Sequence, residues 1–184
     1  MENLQEKLIE SNTKFSGNIL SVKVDQIELP DGNRSKREIV EHSGGVTIIP
    51  CTSEGDIVMV VQYRHAAEQV MLELPAGRLE EKEKAAQGAR RELKEETGYR
   101  AGEMIYLFNF YTTPGYSTEC LNLFLARDLI KGDQELEKGE FLKIKEVSPK
   151  MIPELIFSGQ IKDSKTALGL LAYLYYDAYD FSDE

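Results

Sequence analysis

Apolar and polar residues alternate between residues 16 and 40, which is the pattern of strands with one buried face. The clearest alternation spans 19–24, and a Pro-Asp-Gly-Asn turn at 30–33 separates it from a second run at 37–40. We therefore predict a β-hairpin or a small antiparallel sheet in this part of the chain.

Continuous apolar runs at 46–50 and 57–63 follow, and they predict buried core strands rather than strands with one wet face. A Ser-Glu-Gly-Asp turn at 53–56 connects them. Further strands are predicted at 104–111, 121–126 and 141–147, with an acidic loop at 132–139 before the last of them.

Between the two groups of strands the hydrophobic period changes to that of a helix. Ala85, Ala89 and Leu93 recur every four residues, which predicts a helix over 83–97, and Gly98 is well placed to end it in the left-handed conformation. Two further helices are predicted near the C-terminal end, the second over 164–176. This order of elements indicates an α+β sandwich around a mixed sheet.

Composition narrows the class of protein. The chain has 184 residues, of which 41% are hydrophobic, enough for one domain with a sizeable core. Its 32 acidic and 22 basic residues give a net charge of −10, so nucleic acid and membrane surfaces are not expected partners. The N-terminal residues do not resemble a secretory signal, and Cys51 and Cys120 suggest neither a disulfide framework nor a zinc site. We expect a cytoplasmic protein.

Three carboxylates on the predicted helix carry the clearest chemistry. Glu92, Glu95 and Glu96 are spaced i, i+3 and i+4, so they project from one face within about one turn. Such carboxylates repel one another unless a cation neutralises them, and Mg²⁺ prefers oxygen ligands of this kind. Arg91 and Glu83 are candidates to orient these ligands. The alternative is a solvated helix face with ordinary ion pairs.

The spacing around these glutamates is highly specific. From residue 77 the chain reads Gly, five residues, Glu, seven residues, Arg-Glu, an aliphatic residue, one residue, Glu-Glu, one residue, Gly and an apolar residue. A chance match in a chain of this length has odds on the order of one in a million. The string resembles the Nudix box without a departure. The resemblance implies a Nudix hydrolase with a loop–helix–loop motif on an α/β/α sandwich.

The resemblance also implies the chemistry of the site. The family hydrolyses nucleoside diphosphates linked to another group, with two or three Mg²⁺ ions, for which Mn²⁺ is a substitute. Applied to this chain, the resemblance implies that Glu92 and Glu96 ligate metal, that Glu95 shares a metal or assists the water, and that the carbonyl of Ala76 completes a site.

The regions flanking the box resemble the ADP-ribose pyrophosphatase branch of the family. These are the segments at 62–64 and 73–77, a Pro-Gly turn within 113–119, the N-terminal run 29–45 and the helix start at 161–167. The resemblance implies that Arg37 and Arg64 reach the phosphates or the adenine edge, that Glu119 reaches the terminal ribose, and that Pro114 and Gly115 contact the substrate. Taken singly, each of these residues is more often structural.

In this branch a glutamate on a mobile loop activates the water. The loop 133–140 offers three glutamates, of which the spacing favours Glu137, with Glu140 second; the alternative is a solvated acidic loop. Where relatives stack an aromatic residue on adenine, this chain has Asn18 and Ile19.

The implied activity is Mg²⁺-dependent hydrolysis of ADP-ribose, a small nucleoside diphosphate sugar, to AMP and ribose 5-phosphate. Another Nudix activity, on GDP-mannose, dinucleoside polyphosphates or NADH, stays open, as does a catalytically idle ADP-ribose sensor. We expect residues 1–43 to form an N-terminal sheet for dimerisation and substrate binding, and 44–184 to form the hydrolase domain. A homodimer is implied in which the sheet crosses to the partner. His42 and His65 are expected to be structural or surface residues.

The net charge says little about the substrate. Within 78–98, six acidic residues are balanced by six basic ones, so the excess lies elsewhere, including the loop at 133–140 and the tail at 177–184. We interpret the overall acidity as a contribution to solubility.

Overall fold

The computed structural model describes residues 4–176, so the acidic tail at 177–184 lies outside the described part. The backbone forms two units: the chain up to Gly44 with Tyr111–Cys120, and Gly45–Phe110 with the chain from Leu121 onward. No helix among residues 4–176 is long and apolar enough to cross a membrane.

The first unit contains an antiparallel sheet of three strands in the order β1-β2-β3. The predicted hairpin is confirmed as β2 (Leu20–Glu28) and β3 (Arg34–His42), joined by the expected turn, in which Gly32 donates to the Leu29 carbonyl. The sequence pattern does not predict β1 (Lys7–Ser16). Nine of the ten residues in this strand are exposed, so no buried face imposes an alternation of apolar and polar residues on its sequence.

As far as Tyr176, the second unit contains two sheets and three helices. One sheet is antiparallel with the order β10-β5-β6; the other is mixed with the order β7-β4-β9-β8, in which β4 and β9 are parallel. The strands are β4 (Gly45–Pro50), β5 (Ile57–Arg64), β6 (Gln69–Glu73), β7 (Ala76–Arg78), β8 (Arg100–Tyr111), β9 (Cys120–Ile130) and β10 (Leu142–Val147). The helices are α1 (Ala85–Thr97), α2 (Ile152–Phe157) and α3 (Ser164–Tyr176), with 3₁₀ turns at His65–Ala67 and Pro149–Met151.

Strand alternation places the sheets between helices on two sides. Ile48 in β4 packs in one buried cluster with Leu93 of α1, whereas its neighbour Ile49 packs in the other cluster with Ile152 of α2 and Leu170 of α3. Because successive side chains of a strand point to opposite faces, α1 covers one face and the other two helices cover the opposite face. The α+β sandwich is therefore confirmed, with its strands divided between two sheets.

Element boundaries differ from prediction mainly where strands are short or exposed. The predicted helix over 83–97 begins at Ala85 and ends as expected, with Gly98 at φ +73° and its amide bound to the Lys94 carbonyl. The short strands β6 and β7 were not predicted. Together with β5, they position the segment that leads into the helix.

Candidate active site

Helix α1 is anchored by one face and carries the three box glutamates on another. Ala89 and Leu93 are fully buried against the core, and Glu92, Glu95 and Glu96 follow with the predicted helical spacing. Glu96 is only 5% exposed, which is unusual for a glutamate and does not fit a solvated charged face.

Glu96 occupies the most strongly perturbed position. Burial raises the pKa of Glu96 to about 8; the amide of Ala76, which donates to its Oε2 at 2.9 Å, opposes this shift, while the charges of Glu92 and Glu140 add to it. A neighbouring cation stabilises the ionised form of a carboxylate more in this buried environment than it would at an exposed site. The site therefore favours metal binding electrostatically.

Glu92 lies directly against the backbone of β7. Burial raises the pKa of Glu92 and outweighs the opposing effect of Arg91. A Cβ placed on Gly77 would lie 2.0 Å from Oε1 of Glu92, so only glycine leaves room for the carboxylate at this position. This contact gives the first glycine of the box a physical role.

Arg91 gathers the neighbouring carboxylates. Its Nε and Nη2 each donate to Glu83 at 3.0 Å, while Nη1 donates to Glu92 at 2.7 Å and to Glu95 at 3.0 Å. Nη2 also binds the Arg78 carbonyl at 3.0 Å. The hydrogen bond to Glu83 is the main cause that raises the pKa of Arg91, and it lowers the pKa of Glu83. The two predicted orienting residues are thus paired beside the candidate ligands.

The donor set suits a hard divalent cation in its chemistry, since it consists of carboxylate oxygens with a backbone carbonyl available at Ala76. Within residues 4–176, however, no three acidic, His or Cys side chains converge on one point as they stand. Glu92 and Glu95 face Arg91, and Glu96 faces the Ala76 amide.

The acidic loop brings one glutamate toward these carboxylates. The charge of Glu140 raises the pKa of both Glu92 and Glu96. The two loop residues form a turn, in which the Glu137 amide donates to Oε2 of Glu140 at 3.2 Å and the Glu140 amide to the Glu137 carbonyl at 3.0 Å. Glu140, the second candidate from spacing, thus lies within electrostatic reach of the box carboxylates.

The start of this loop is attached to the end of α1. The side chain of Gln134 donates to the Glu96 carbonyl at 2.6 Å, and the Glu135 amide donates to the Glu95 carbonyl at 3.0 Å. Lys94 forms an ion pair with Glu135 at 2.6 Å. These contacts satisfy carbonyls that the helix end leaves without intrahelical partners.

Arg64, at the end of β5, is held by a residue that the sequence reading did not single out. Its Nε and Nη2 donate to the two oxygens of Glu73, each at 2.8 Å. Arg64 and Glu96 act on each other's pKa, so the guanidinium lies within electrostatic reach of the box carboxylates. Glu73 begins the segment at 73–77 that resembles the family branch, but no local pattern indicates its pairing with Arg64 and Lys165.

The remaining predicted substrate residues belong to the first unit. Arg37 on β3 forms an ion pair with Glu6 and also donates to the Lys36 carbonyl at 3.0 Å. Pro114 and Gly115 lie in a turn, and a Cβ on Gly115 would meet nothing within 4 Å, so this turn is open.

Glu119 ends the same segment. It accepts a hydrogen bond from the Thr112 hydroxyl at 2.7 Å and lies 3.6 Å from Nδ1 of His42. That nitrogen also accepts the Gly44 amide at 3.1 Å, so His42 makes structural contacts within its unit. Ile19, beside Asn18, is largely exposed.

Comparison with known proteins identifies the class. Residues 41–166 match the model of the NUDIX domain, and residues 6–40 match that of the nucleoside diphosphate sugar hydrolase N-terminal domain. The chain belongs to the Nudix family and is a Nudix hydrolase, as the box predicted. Hydrolases of this family generally need divalent metal ions.

Individual relatives match over nearly the whole chain. The chain is 41% identical over 172 residues to an ADP-ribose pyrophosphatase of Bacillus subtilis (strain 168), covering 92% of this chain and 93% of that protein. It is also 41% identical over 168 residues to a methanol dehydrogenase activator of Bacillus methanolicus, covering 90% and 91%. A crystal structure of an ADP compounds hydrolase superposes with a TM-score of 0.83 at 22% identity, covering 97% and 98%, and this likeness supports the fold.

Proposed function

We propose that this protein hydrolyses the diphosphate bond of ADP-ribose to AMP and ribose 5-phosphate, using two or three Mg²⁺ ions. The buried Glu96 beside Glu92, with Arg64 in electrostatic reach, carries the proposal, because carboxylates that recruit cations next to a fixed guanidinium suit a pyrophosphate. The relative of 41% identity that is named an ADP-ribose pyrophosphatase supports this choice of substrate.

The residues have distinct roles in this proposal. Glu92, Glu96 and the Ala76 carbonyl would hold the metals, Glu95 would share one of them, and Arg91, paired with Glu83, would orient the carboxylates. The bound ions would lower the pKa of a water and offset charge on the phosphoryl oxygens.

The protein supplies the proton acceptor and the phosphate contacts. Glu140 accepts the proton of the attacking water, since its charge already acts on the box carboxylates; Glu137 is the second candidate and Glu95 the third. Arg64 and Arg37 contact the diphosphate or the adenine edge.

We further propose the assembly and location of the enzyme. Pro114 and Gly115 contact the substrate and Glu119 contacts its terminal ribose. Residues 1–43 act as a sheet for dimerisation and substrate binding, and residues 44–184 form the hydrolase domain. Large apolar side chains on β1, including Leu8 and Phe15, are exposed, and this favours a homodimer that covers them. The cytoplasm is the proposed compartment.

A hydrolysis panel tests the proposal. The purified protein is assayed with Mg²⁺ against ADP-ribose, GDP-mannose, dinucleoside polyphosphates and NADH, and the substrates are compared by kcat/KM. We expect ADP-ribose to give the highest value, with AMP and ribose 5-phosphate as products and no turnover in EDTA. Glu96→Gln is the inactive control. A higher kcat/KM for another substrate would replace ADP-ribose, and tight ADP-ribose binding without turnover would support the sensor alternative.

A further inference from the structure

Glu73 is a buried carboxylate to which the proposed reaction assigns no role. It is the last residue of β6 and is 1% exposed, and both of its oxygens bind Arg64 at 2.8 Å. A two-point contact of this kind fixes both the position and the plane of a guanidinium. It uses Nε and one N–H of Nη2, so Nη1 and the second N–H of Nη2 could contact a phosphate.

Glu73 also binds a second cationic side chain, which lies at the start of α3. Lys165, in the first turn of α3, binds the same Oε2 that Arg64 uses, and its ammonium also lies 2.8 Å from Asp163. Asp163 accepts the Thr166 amide at 2.9 Å, and the Thr166 hydroxyl accepts the Leu74 amide at 2.9 Å. The start of α3 is thereby fastened to the end of β6.

The charges alternate along this network from Asp163 through Lys165 and Glu73 to Arg64. Burial alone would raise the pKa of Glu73, but the hydrogen bonds and charges of Arg64 and Lys165 outweigh it, and the pKa lies below its usual range. Glu73 is therefore a permanent anion at neutral pH. The Arg64 side chain is 42% exposed, whereas its partner Glu73 is enclosed. A buried carboxylate in a fixed position therefore holds a guanidinium that is partly accessible to solvent.

A role in stability alone explains this arrangement poorly. Buried ion pairs contribute little to stability relative to apolar residues of similar volume, because desolvation offsets their attraction. A free arginine side chain has many rotamers, and ordering it on binding weakens affinity, whereas an arginine that is already held avoids this loss.

We propose that Glu73 is a positioning residue: with Lys165 and Asp163 behind it, it holds Arg64 ready for the diphosphate of the substrate. This inference rests on the proposed function, since it requires that Arg64 contact the substrate phosphates. Glu73 itself touches no substrate. Its effect passes through Arg64 and should disappear when Arg64 is removed.

A double-mutant cycle on the full-length protein tests this coupling. We expect Glu73→Gln to raise KM for ADP-ribose about tenfold, the usual size of a lost charge-assisted hydrogen bond, while kcat changes less than about threefold. In the Arg64→Ala background, the same substitution should change KM less than about twofold. Glu154→Gln, the same change at an exposed residue of α2, is the matched control and should leave KM unchanged.

A purely structural role for Glu73 gives a different pattern. It would lower Tm and the active fraction, and hence kcat, without raising KM, and its effect would add to that of Arg64→Ala. Either an additive cycle or an unchanged KM for a folded Glu73→Gln would overturn the inference.

If Glu73→Gln does not fold, Lys165→Met is the variant that tests the inference. This change leaves the Arg64–Glu73 pair but removes the cation behind it, so KM should rise about threefold in the wild-type background and not in the Arg64→Ala background. Failure of the proposed function is distinguishable: a wild-type enzyme that prefers another diphosphate refutes only the substrate, and the cycle is then run with that diphosphate. Inactivity toward the whole panel would overturn both proposals.

Discussion

Gly77→Ala is a minimal perturbation of the candidate metal site. A Cβ at this position would lie 2.0 Å from both Cδ and Oε1 of Glu92, and 2.3 Å from Oε2. Ordinary van der Waals contact begins at 3.4 Å, so the carboxylate must retreat by about 1.4 Å. Strand β7 pairs with the buried strand β4, so the side chain of Glu92 yields rather than the backbone.

The displacement is large relative to the tolerance of a metal site. Mg²⁺ holds oxygen ligands at about 2.0–2.1 Å, and a ligand displaced by more than about 1 Å leaves the coordination sphere. We expect the Mg²⁺ concentration for half-maximal activity to rise at least about tenfold and kcat/KM to fall about 100-fold. Tm should change by only a few degrees, because the moving atoms are the end of a flexible side chain.

The assay is a Mg²⁺ titration of ADP-ribose hydrolysis, with Tm measured on the same samples. Gly55→Ala is the control, since φ there is +87° and a Cβ would meet nothing within 4 Å. It should cost about 1 kcal/mol of stability and leave the Mg²⁺ dependence unchanged. If Gly77→Ala kept the wild-type Mg²⁺ midpoint and kcat/KM, Glu92 would not be a metal ligand.

Three further outcomes are expected. In EDTA, Glu96 has its pKa raised by burial from 4.5 to about 8, so the folded state binds a proton that the unfolded state releases, and the free energy of unfolding should fall between about pH 5 and pH 8. Glu96→Gln should remove that slope in urea unfolding. Glu140→Gln should lower kcat about 100-fold with little change in KM, more than Glu137→Gln does. Arg91→Met should lower the unfolding free energy by about 2 kcal/mol and weaken Mg²⁺ activation, because it leaves three carboxylates without their shared cation.

Each of these has an opposing result. A pH-independent stability of the metal-free wild type would show that Glu96 is not protonated when buried. Equal losses for Glu140→Gln and Glu137→Gln would remove the preference for Glu140, and a larger loss for Glu137→Gln would restore the choice made from spacing. Unchanged Mg²⁺ activation in a folded Arg91→Met would restrict that arginine to a stabilising role.

Local periodicity accounts for what the sequence could predict. The helical repeat of Ala85, Ala89 and Leu93 requires a buried stripe, and the spacing of the glutamates then places them on a neighbouring face of the same helix. The continuous apolar run of β4 fits a strand covered on both faces, and all six of its residues are buried. In these segments local pattern and tertiary environment agree.

Long-range pairing accounts for what the sequence could not predict. Glu73 meets Arg64 nine positions away through the pairing of β5 with β6, and it meets Lys165 ninety-two positions away through the contact of α3 with the end of β6. The choice between Glu137 and Glu140 depends on how the loop turns at these residues, and spacing in the sequence does not show this. Strand β1 left no signal because its side chains remain exposed.

The attachment of the acidic loop to α1 has a consequence for how relatives can vary. The loop enters beside Gly98, where a Cβ would lie 2.6 Å from the Gly132 carbonyl, and its next residues cap the helix through Gln134 and Glu135. Insertions or deletions at 132–135 would pull on the helix that carries the box glutamates, whereas changes at 136–141 would not. Length differences among homologous chains are therefore expected to fall after Glu135. The length of the loop can then change in evolution without changing its attachment to α1.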